Sequence, residues 1–191
     1  MPNTDNDLLR AAADVLSALE GFGLSPTIIG GVAVSLMTQS RHTDDVDVQI
    51  LFDTNDATSL LETLAQKGFQ PRFSDMEELA KRSRMITVRH KATDTVIDIA
   101  LGCMPFEAEI QARASTHNVG NYKIRLPSPE DLTILKAIAS RPKDLEDIRN
   151  IGLVYPNMDR TRIEHWVREY GDLLDEPDLW ERTRDLLDGK S

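Results

Sequence analysis

The hydrophobic positions of the chain change their period several times, and each change predicts an element. Leu8, Leu9, Ala12, Val15, Leu16 and Leu19 recur every three or four residues, the spacing of an amphipathic helix over residues 5–20 that Gly21 and Gly23 end. Thr27-Ile28-Ile29 is apolar but too short for a helix, and it reads as a buried strand. Gly30-Gly31 closes that strand, and Val32 to Thr38, with Ala33, Leu36 and Met37, is compatible with a helix. From Asp45 to Phe52 the pattern alternates. Val46, Val48, Ile50 and Phe52 point one way and Asp45, Asp47 and Gln49 the other, which predicts a half-buried strand. Leu60, Leu61, Leu64 and Ala65 mark a further helix over 56–67, with Gly68 just past its end.

Gly68-Phe69-Gln70-Pro71 leads into a short edge segment at Phe73, and Ser74 can cap a brief helix over 75–81. Two β-rich runs, 84–90 and 95–101, flank the polar turn Ala92-Thr93-Asp94 and predict a hairpin. A helix over 106–114 and a last strand over 122–126 follow. Pro127-Ser128-Pro129-Glu130-Asp131 is a strong helix start, with Ser128 as N-cap, Pro129 in the first turn and acids behind them. Leu132, Leu135, Ile138 and Ala139 form that helix's stripe, and Lys136 at its edge would ordinarily snorkel to solvent. Arg141-Pro142-Lys143-Asp144 breaks it. Helices over 144–153, 160–174 and 177–187 complete the chain, with Trp166 and Trp180 as packing anchors. The fold class is therefore α+β, with residues 1–126 mixing helices and strands and residues 127–191 forming a helical region packed on them.

Composition narrows the chemistry. No apolar run in the 191 residues approaches a membrane span and the N-terminus lacks the features of a signal peptide, so a cytoplasmic protein with no membrane partner is expected. Cys103 is the single cysteine. It reads as a small hydrophobe after a strand, and any metal must be held by oxygen or imidazole. The formal net charge of -10 opposes a broad, non-specific grip on nucleic acid. The cluster Lys81, Arg82, Arg84, Arg89, His90 and Lys91 is the one concentrated basic stretch, read either as a polyanion surface or as an exposed face balanced by Glu77 and Glu78.

Gly30 and Gly31 stand where a strand hands over to a helix N-terminus, where unpaired amides and the helix dipole favour an anion and the missing Cβ atoms allow close approach. Asp45 and Asp47 stand side by side on one strand face. Strands are depleted in Asp, and two like charges that close repel unless a cation or proton intervenes, so the pair suits one hard cation, Mg²⁺ being the best fit. Asp44 points the other way, as a turn or cap residue. Asp98 lies among five aliphatics of the second hairpin strand and is either a third carboxylate of this site or the partner of an arginine such as Arg89.

Gly30-Gly31, Arg41-x-Thr43-x-Asp45-x-Asp47, the strand bearing Asp98, and the downstream segment Leu126 to Leu132 with Lys136, Arg141, Lys143, Asp144 and Asp147 together resemble the polymerase-β-like nucleotidyltransferase superfamily. The likeness spans roughly residues 27 to 150 and is nearest to its small bacterial members, the minimal nucleotidyltransferases and the AbiEii-type toxins. It implies a central mixed β-sheet flanked by helices with a C-terminal helical extension, and NTP as co-substrate. It implies that Gly30 and Gly31 hold phosphates, that Asp45, Asp47 and Asp98 bind Mg²⁺, and that Asp98 helps deprotonate the acceptor hydroxyl. Lys136 would reach a triphosphate oxygen, with Arg41 and Thr43 as phosphate-binding or loop-shaping residues. Many members have Gly-Ser where this chain has Gly30-Gly31, and Ser35 is the candidate substitute hydroxyl. The implied activity is transfer of an NMP to a hydroxyl on a tRNA, a protein or a small molecule, with an antitoxin or adjacent-gene product as candidate partner. The alternative is a non-catalytic binding or regulatory protein on the same fold.

Overall fold

A computed structural model describes residues 4–39 and 43–190. The chain divides into two compact units, Met1–Val32 with His42–Leu126, and Ala33–Arg41 with Pro127–Ser191. The second unit therefore takes in residues from the helix after the glycine pair as well as everything beyond residue 126.

In the first unit, helix α1 (Thr4–Gly21) precedes strand β1 (Thr27–Ile29), and helix α2 (Gly30–Thr38), of which only the residues up to Val32 belong to this unit, begins directly on the glycines. Strand β2 (Asp45–Leu51), helices α3 (Ala57–Gln66) and α4 (Met76–Ser83), strands β3 (Phe69–Pro71), β4 (Met85–His90) and β5 (Val96–Gly102), helix α5 (Pro105–Arg113) and strands β6 (Ser115–Val119) and β7 (Tyr122–Leu126) follow. Five strands form one mixed sheet in the order β1-β2-β5-β4-β3, in which only β2 and β5 run parallel.

Alternation fixes the register of this sheet. Across β1-β2-β5-β4, one face presents the rows Ile28-Val48-Ile99-Ile86 and Val46-Ile97-Val88, every member at 0 % exposure. Each such side chain contributes roughly 1.5–3 kcal/mol by leaving water. A slip of one residue would turn the whole set outward, so no other register competes. The opposite face is polar, with the rows Asp45-Val96-Arg89, Ile29-Asp47-Asp98-Thr87 and Thr27-Gln49-Ala100-Met85. At the last of these rows Gln49 is buried and donates to the Glu107 carbonyl of α5 at 3.3 Å.

Several details depart from the sequence pattern. The edge strand is Phe69–Pro71, and Phe73 is exposed beyond it. Strand β6 is polar at every position except its last, Val119, so alternation gave no sign of it; its signal is the two-residue turn Gly120-Asn121, a hairpin dipeptide with Gly120 at φ 57°. Cys103 is exposed, because β5 ends at Gly102 and the chain turns there into α5.

The basic cluster is dispersed. Lys81 pairs with Glu77 at 2.7 Å and Arg82 with Glu78 at 3.7 Å. Arg84 donates to the carbonyls of Leu101 and Phe52, and Arg89 pairs with Asp94 at 3.0 Å. His90 is buried, stacked on Phe69 and 3.3 Å from Asp14 of α1.

In the second unit, helices α6 (Pro129–Ala139), α7 (Pro142–Val154), α8 (Arg160–Leu174) and α9 (Leu179–Leu187) pack together. Ser128 caps α6 by accepting from Asp131 N at 3.2 Å. Helix α7 starts at Pro142 rather than Asp144, because proline fits a first helical turn, where no amide donor is needed. Asp131, fully buried, is paired with Arg162 of α8 at 2.7 Å, and Gly152 lets α7 approach Leu187 of α9. Within this unit Tyr155 donates to the carbonyl of Met37, near the end of α2, at 3.2 Å. Trp180 is buried, whereas Trp166 is only part-buried, against His165 and Tyr170.

Burial holds the His90 pKa below its ordinary 6.5, with Arg10 acting in the same direction and Asp14 opposing. The folded state thus prefers the neutral ring, and the unfolded chain takes up the proton first as pH falls. The stability this group contributes is present above about pH 6.5 and lost below it. The urea midpoint should therefore fall between pH 7.5 and 5.5, and His90→Gln should make that fall smaller.

Candidate active site

The polar face of the sheet gathers the acids. Asp45 and Asp47 lie two residues apart on β2, so both point to this face. Asp98 is the in-register neighbour of Asp47 across the parallel β2-β5 pair, about one strand spacing of ~4.8 Å away. All three are part-exposed, while the aliphatics between them are buried. The sheet thus presents three carboxylates on one small area, at the end of the polar face opposite the row where α5 lies against Gln49.

Each acid is held by a different contact. Thr43, just before β2, donates to Asp45 Oδ1 at 2.7 Å. Thr87, the β4 register partner of Asp98, donates to Asp98 Oδ1 at 2.6 Å. Arg89 stands on the same face but is engaged with Asp94, so the arginine partner considered for Asp98 is replaced by a hydroxyl. Asp47 lies against Gly30. A Cβ added at Gly30 would stand 2.7 Å from the Asp47 Cβ and nearer still to its carboxylate, and Gly30 has φ 63°, a left-handed conformation that side chains disfavour. Helix α2 opens at this residue, so the Asp47 carboxylate sits at a helix N-terminus, where the dipole favours negative charge. Glycine at this position thus makes room for Asp47 as well as exposing backbone amides, a role the sequence pattern did not reveal.

The other expected residues fall elsewhere or outside view. Gly31 is buried in the first turn of α2, and Ser35 lies further along the same helix, part-exposed and within the second unit. Asp44 is an exposed bend residue before β2. Arg41 lies outside the described residues. Lys136, which the resemblance assigns to a triphosphate oxygen, does not snorkel. It is 3 % exposed, and its ammonium lies 3.0 Å from Asp144 and 2.8 Å from Asp147, both buried on α7. Reaching a triphosphate would first require breaking this buried cluster. Burial alone would raise the Asp144 pKa, but hydrogen bonds from Arg141 and Lys136 outweigh it and hold the carboxyl below its ordinary value.

Among the described residues no group of three His, Cys, Asp or Glu side chains is gathered so as to hold a metal unaided. The acids nevertheless suit Mg²⁺ shared with a substrate, since this ion takes one or two carboxylates and completes its octahedron with phosphate oxygens and water. Two larger hollows of the first unit lie elsewhere. One, of about 530 Å³, runs between α1 and the β6–β7 hairpin, and the other, of about 630 Å³, lies at the far ends of β2 and β5; none of the three acids lines either.

A glycine turn opening a helix over a mixed sheet, with acids in register on its two parallel strands, is the arrangement that the sequence resemblance led one to expect. The chain belongs to the family described as "Nucleotidyl transferase of unknown function (DUF2204)", whose model matches residues 8–182; it is a nucleotidyltransferase by that membership. No curated protein matches it. Solved structures share the fold. An antigenic nucleotidyltransferase-like protein from Paracoccidioides brasiliensis matches at 18 % identity and TM-score 0.57, over 96 % of this chain and 95 % of that one. ANT(2")-Ia in complex with adenylyl-2"-tobramycin matches at 15 % identity and TM-score 0.56, over 87 % and 98 % of the two chains. The lincosamide antibiotic adenylyltransferase LnuA, lincomycin-bound, matches at 16 % identity and TM-score 0.52, over 79 % and 98 %. No helix among the described residues is long and apolar enough to cross a membrane.

Two outcomes follow from this geometry. Gly30→Ala should cost at least ~1–2 kcal/mol from the left-handed backbone alone and displace Asp47, seen as a lower urea midpoint with altered Asp47 chemical shifts. Lys136→Met should cost about 3–5 kcal/mol, because it leaves two acids buried without their ammonium, with Lys136→Met/Asp147→Asn recovering part of the loss in the same assay.

Proposed function

We propose that the chain transfers a nucleoside monophosphate from an NTP to a hydroxyl of a small-molecule acceptor in a divalent-cation-dependent reaction. The observation that carries this reading is the row Asp47-Asp98-Thr87, with Asp45 two residues away on the same face and Gly30 closing over Asp47. Asp45 and Asp47 would hold the cation, Mg²⁺ in the cell, with Asp98 as a further ligand. Bound there, the ion would neutralise charge on the transferring phosphoryl group and on the leaving pyrophosphate.

The backbone at Gly30 and Gly31 would receive phosphate oxygens at the start of α2. Asp98 would orient the acceptor hydroxyl and take its proton as the new bond to the α-phosphorus forms and the bond to the bridging oxygen of the pyrophosphate breaks. Most of the rate would come from positioning and electrostatics, since little covalent chemistry falls to the protein. Gly31 supplies no hydroxyl where many nucleotidyltransferases have serine, so phosphate contacts there would be made by backbone alone.

The dispersal of the basic cluster favours a small molecule over RNA, because Lys81, Arg82 and Arg89 are paired with acids and Arg84 is bonded to carbonyls. The antibiotic adenylyltransferases that share the fold support the same acceptor class. The AbiEii likeness supports the same chemistry with tRNA as acceptor and a regulatory partner encoded nearby.

Incubation with radiolabelled NTPs, Mg²⁺ and separate small-molecule, RNA and protein fractions of a cell extract distinguishes these acceptors. Label is expected in the small-molecule fraction, and Asp45→Asn/Asp47→Asn should reduce it by about 100-fold or more. Label confined to RNA or protein would reject the acceptor class, and transfer unaffected by the double substitution would reject the site.

A further inference from the structure

Of the three acids on the polar face, two are fixed by the same device. Thr43 donates its hydroxyl proton to Asp45 Oδ1 at 2.7 Å, and Thr87 donates to Asp98 Oδ1 at 2.6 Å. Thr43 belongs to the motif that leads into β2. Thr87 belongs to no motif. It comes from a different strand, β4, and it reaches Asp98 because the antiparallel register sets the two residues directly opposite.

Thr87 is nearly buried at 9 % exposure, so its hydroxyl is not simply a solvated surface group. Among the described residues Asp98 has no other hydrogen bond or ion pair from a side chain, and the arginine on its face, Arg89, is given to Asp94. A carboxylate one strand spacing from Asp47 is repelled by it. One donated hydrogen bond offsets part of that repulsion and fixes the rotation of the carboxyl group. With Oδ1 occupied, Oδ2 is the oxygen left for a ligand.

We propose that Thr87 is a positioning residue of the metal and nucleotide site, holding Asp98 by Oδ1 so that it presents Oδ2 as a one-oxygen ligand beside Asp47. The inference rests on the proposed nucleotidyl transfer and on the divalent cation it needs. Partners of ligating carboxylates commonly change metal affinity by 10–100-fold when removed. Valine keeps the shape of threonine without the hydroxyl, and serine keeps the hydroxyl without the methyl group. Those two variants therefore separate hydrogen bonding from packing.

The test is Mn²⁺ affinity, read by electron paramagnetic resonance in the presence of each of the four non-hydrolysable NTP analogues in turn, with Mn²⁺ standing in for Mg²⁺. Wild-type protein should bind the ion, and Asp45→Asn/Asp47→Asn should abolish binding. Thr87→Val should weaken it by about tenfold with an unchanged circular dichroism spectrum, and Thr87→Ser should restore it to within about threefold of wild type. If Thr87→Val is misfolded by that spectrum, Thr87→Ser and Thr87→Ala are compared instead, with the loss expected only for alanine. Wild-type binding that Thr87→Val leaves intact overturns the positioning role alone, as does a loss in Thr87→Ser equal to that in Thr87→Val. Absence of nucleotide-dependent Mn²⁺ binding by the wild type overturns both this inference and the functional reading beneath it.

Discussion

The parallel register between β2 and β5 is the constraint on which the candidate site depends. It sets Asp47 beside Asp98, and because side chains alternate along a strand it places Asp45 on the same face at the same time. The register is enforced from the other side of the sheet, where Val46, Val48, Ile97 and Ile99 are fully buried. Slipping by one residue would expose these aliphatics and bury the acids, two costs of the same sign. Hydrophobic burial on one face thus positions charge on the other, and the carboxylates need no attraction of their own to come together.

Around that row, small groups do the positioning. Gly30 leaves the space that Asp47 fills, and its left-handed backbone turns the chain from β1 into α2 at that point. Hydroxyls from Thr43 and Thr87 orient the other two acids. The hydroxyl contacts to Asp45 and Asp98 fix those carboxylates without adding charge of their own. The second unit treats its buried acids oppositely. Asp144 and Asp147 surround Lys136, and Asp131 is matched by Arg162, so charge there is cancelled within the helices and serves their packing.

Much of this was legible in the chain. Strand alternation located β2 and β5 and assigned the faces of Asp45, Asp47 and Asp98; proline, serine and glycine marked the helix ends; and the combined motifs pointed to nucleotidyl transfer, the family to which the chain belongs. The readings that failed share a cause: side chains whose state is set by neighbours distant in sequence. Lys136 has the spacing of a snorkelling lysine and is buried because two acids of the next helix close on it. Of the two readings open for the run from Lys81 to Lys91, the pairs Lys81–Glu77 and Arg82–Glu78 match the balanced face, while Arg84 and Arg89 take partners that the local pattern did not indicate. Strand β6 is polar up to its last residue, Val119, and among the described residues pairs only with its hairpin partner β7, so no periodicity marks it.

The sequence by itself determined the elements and the inventory of chemistry, since period, capping residues and breakers act over a few neighbouring positions. Only the tertiary structure decided which oxygen atoms are occupied. Thr87 and Asp98 are separated by a turn in the chain and meet through strand register, and Gly30 and Asp47 meet because β1 lies antiparallel to β2. Hydrogen bonds and steric gaps of this kind depend on ångström-scale placement across strands, which is set by the packing of the whole sheet and leaves no local trace in the order of residues.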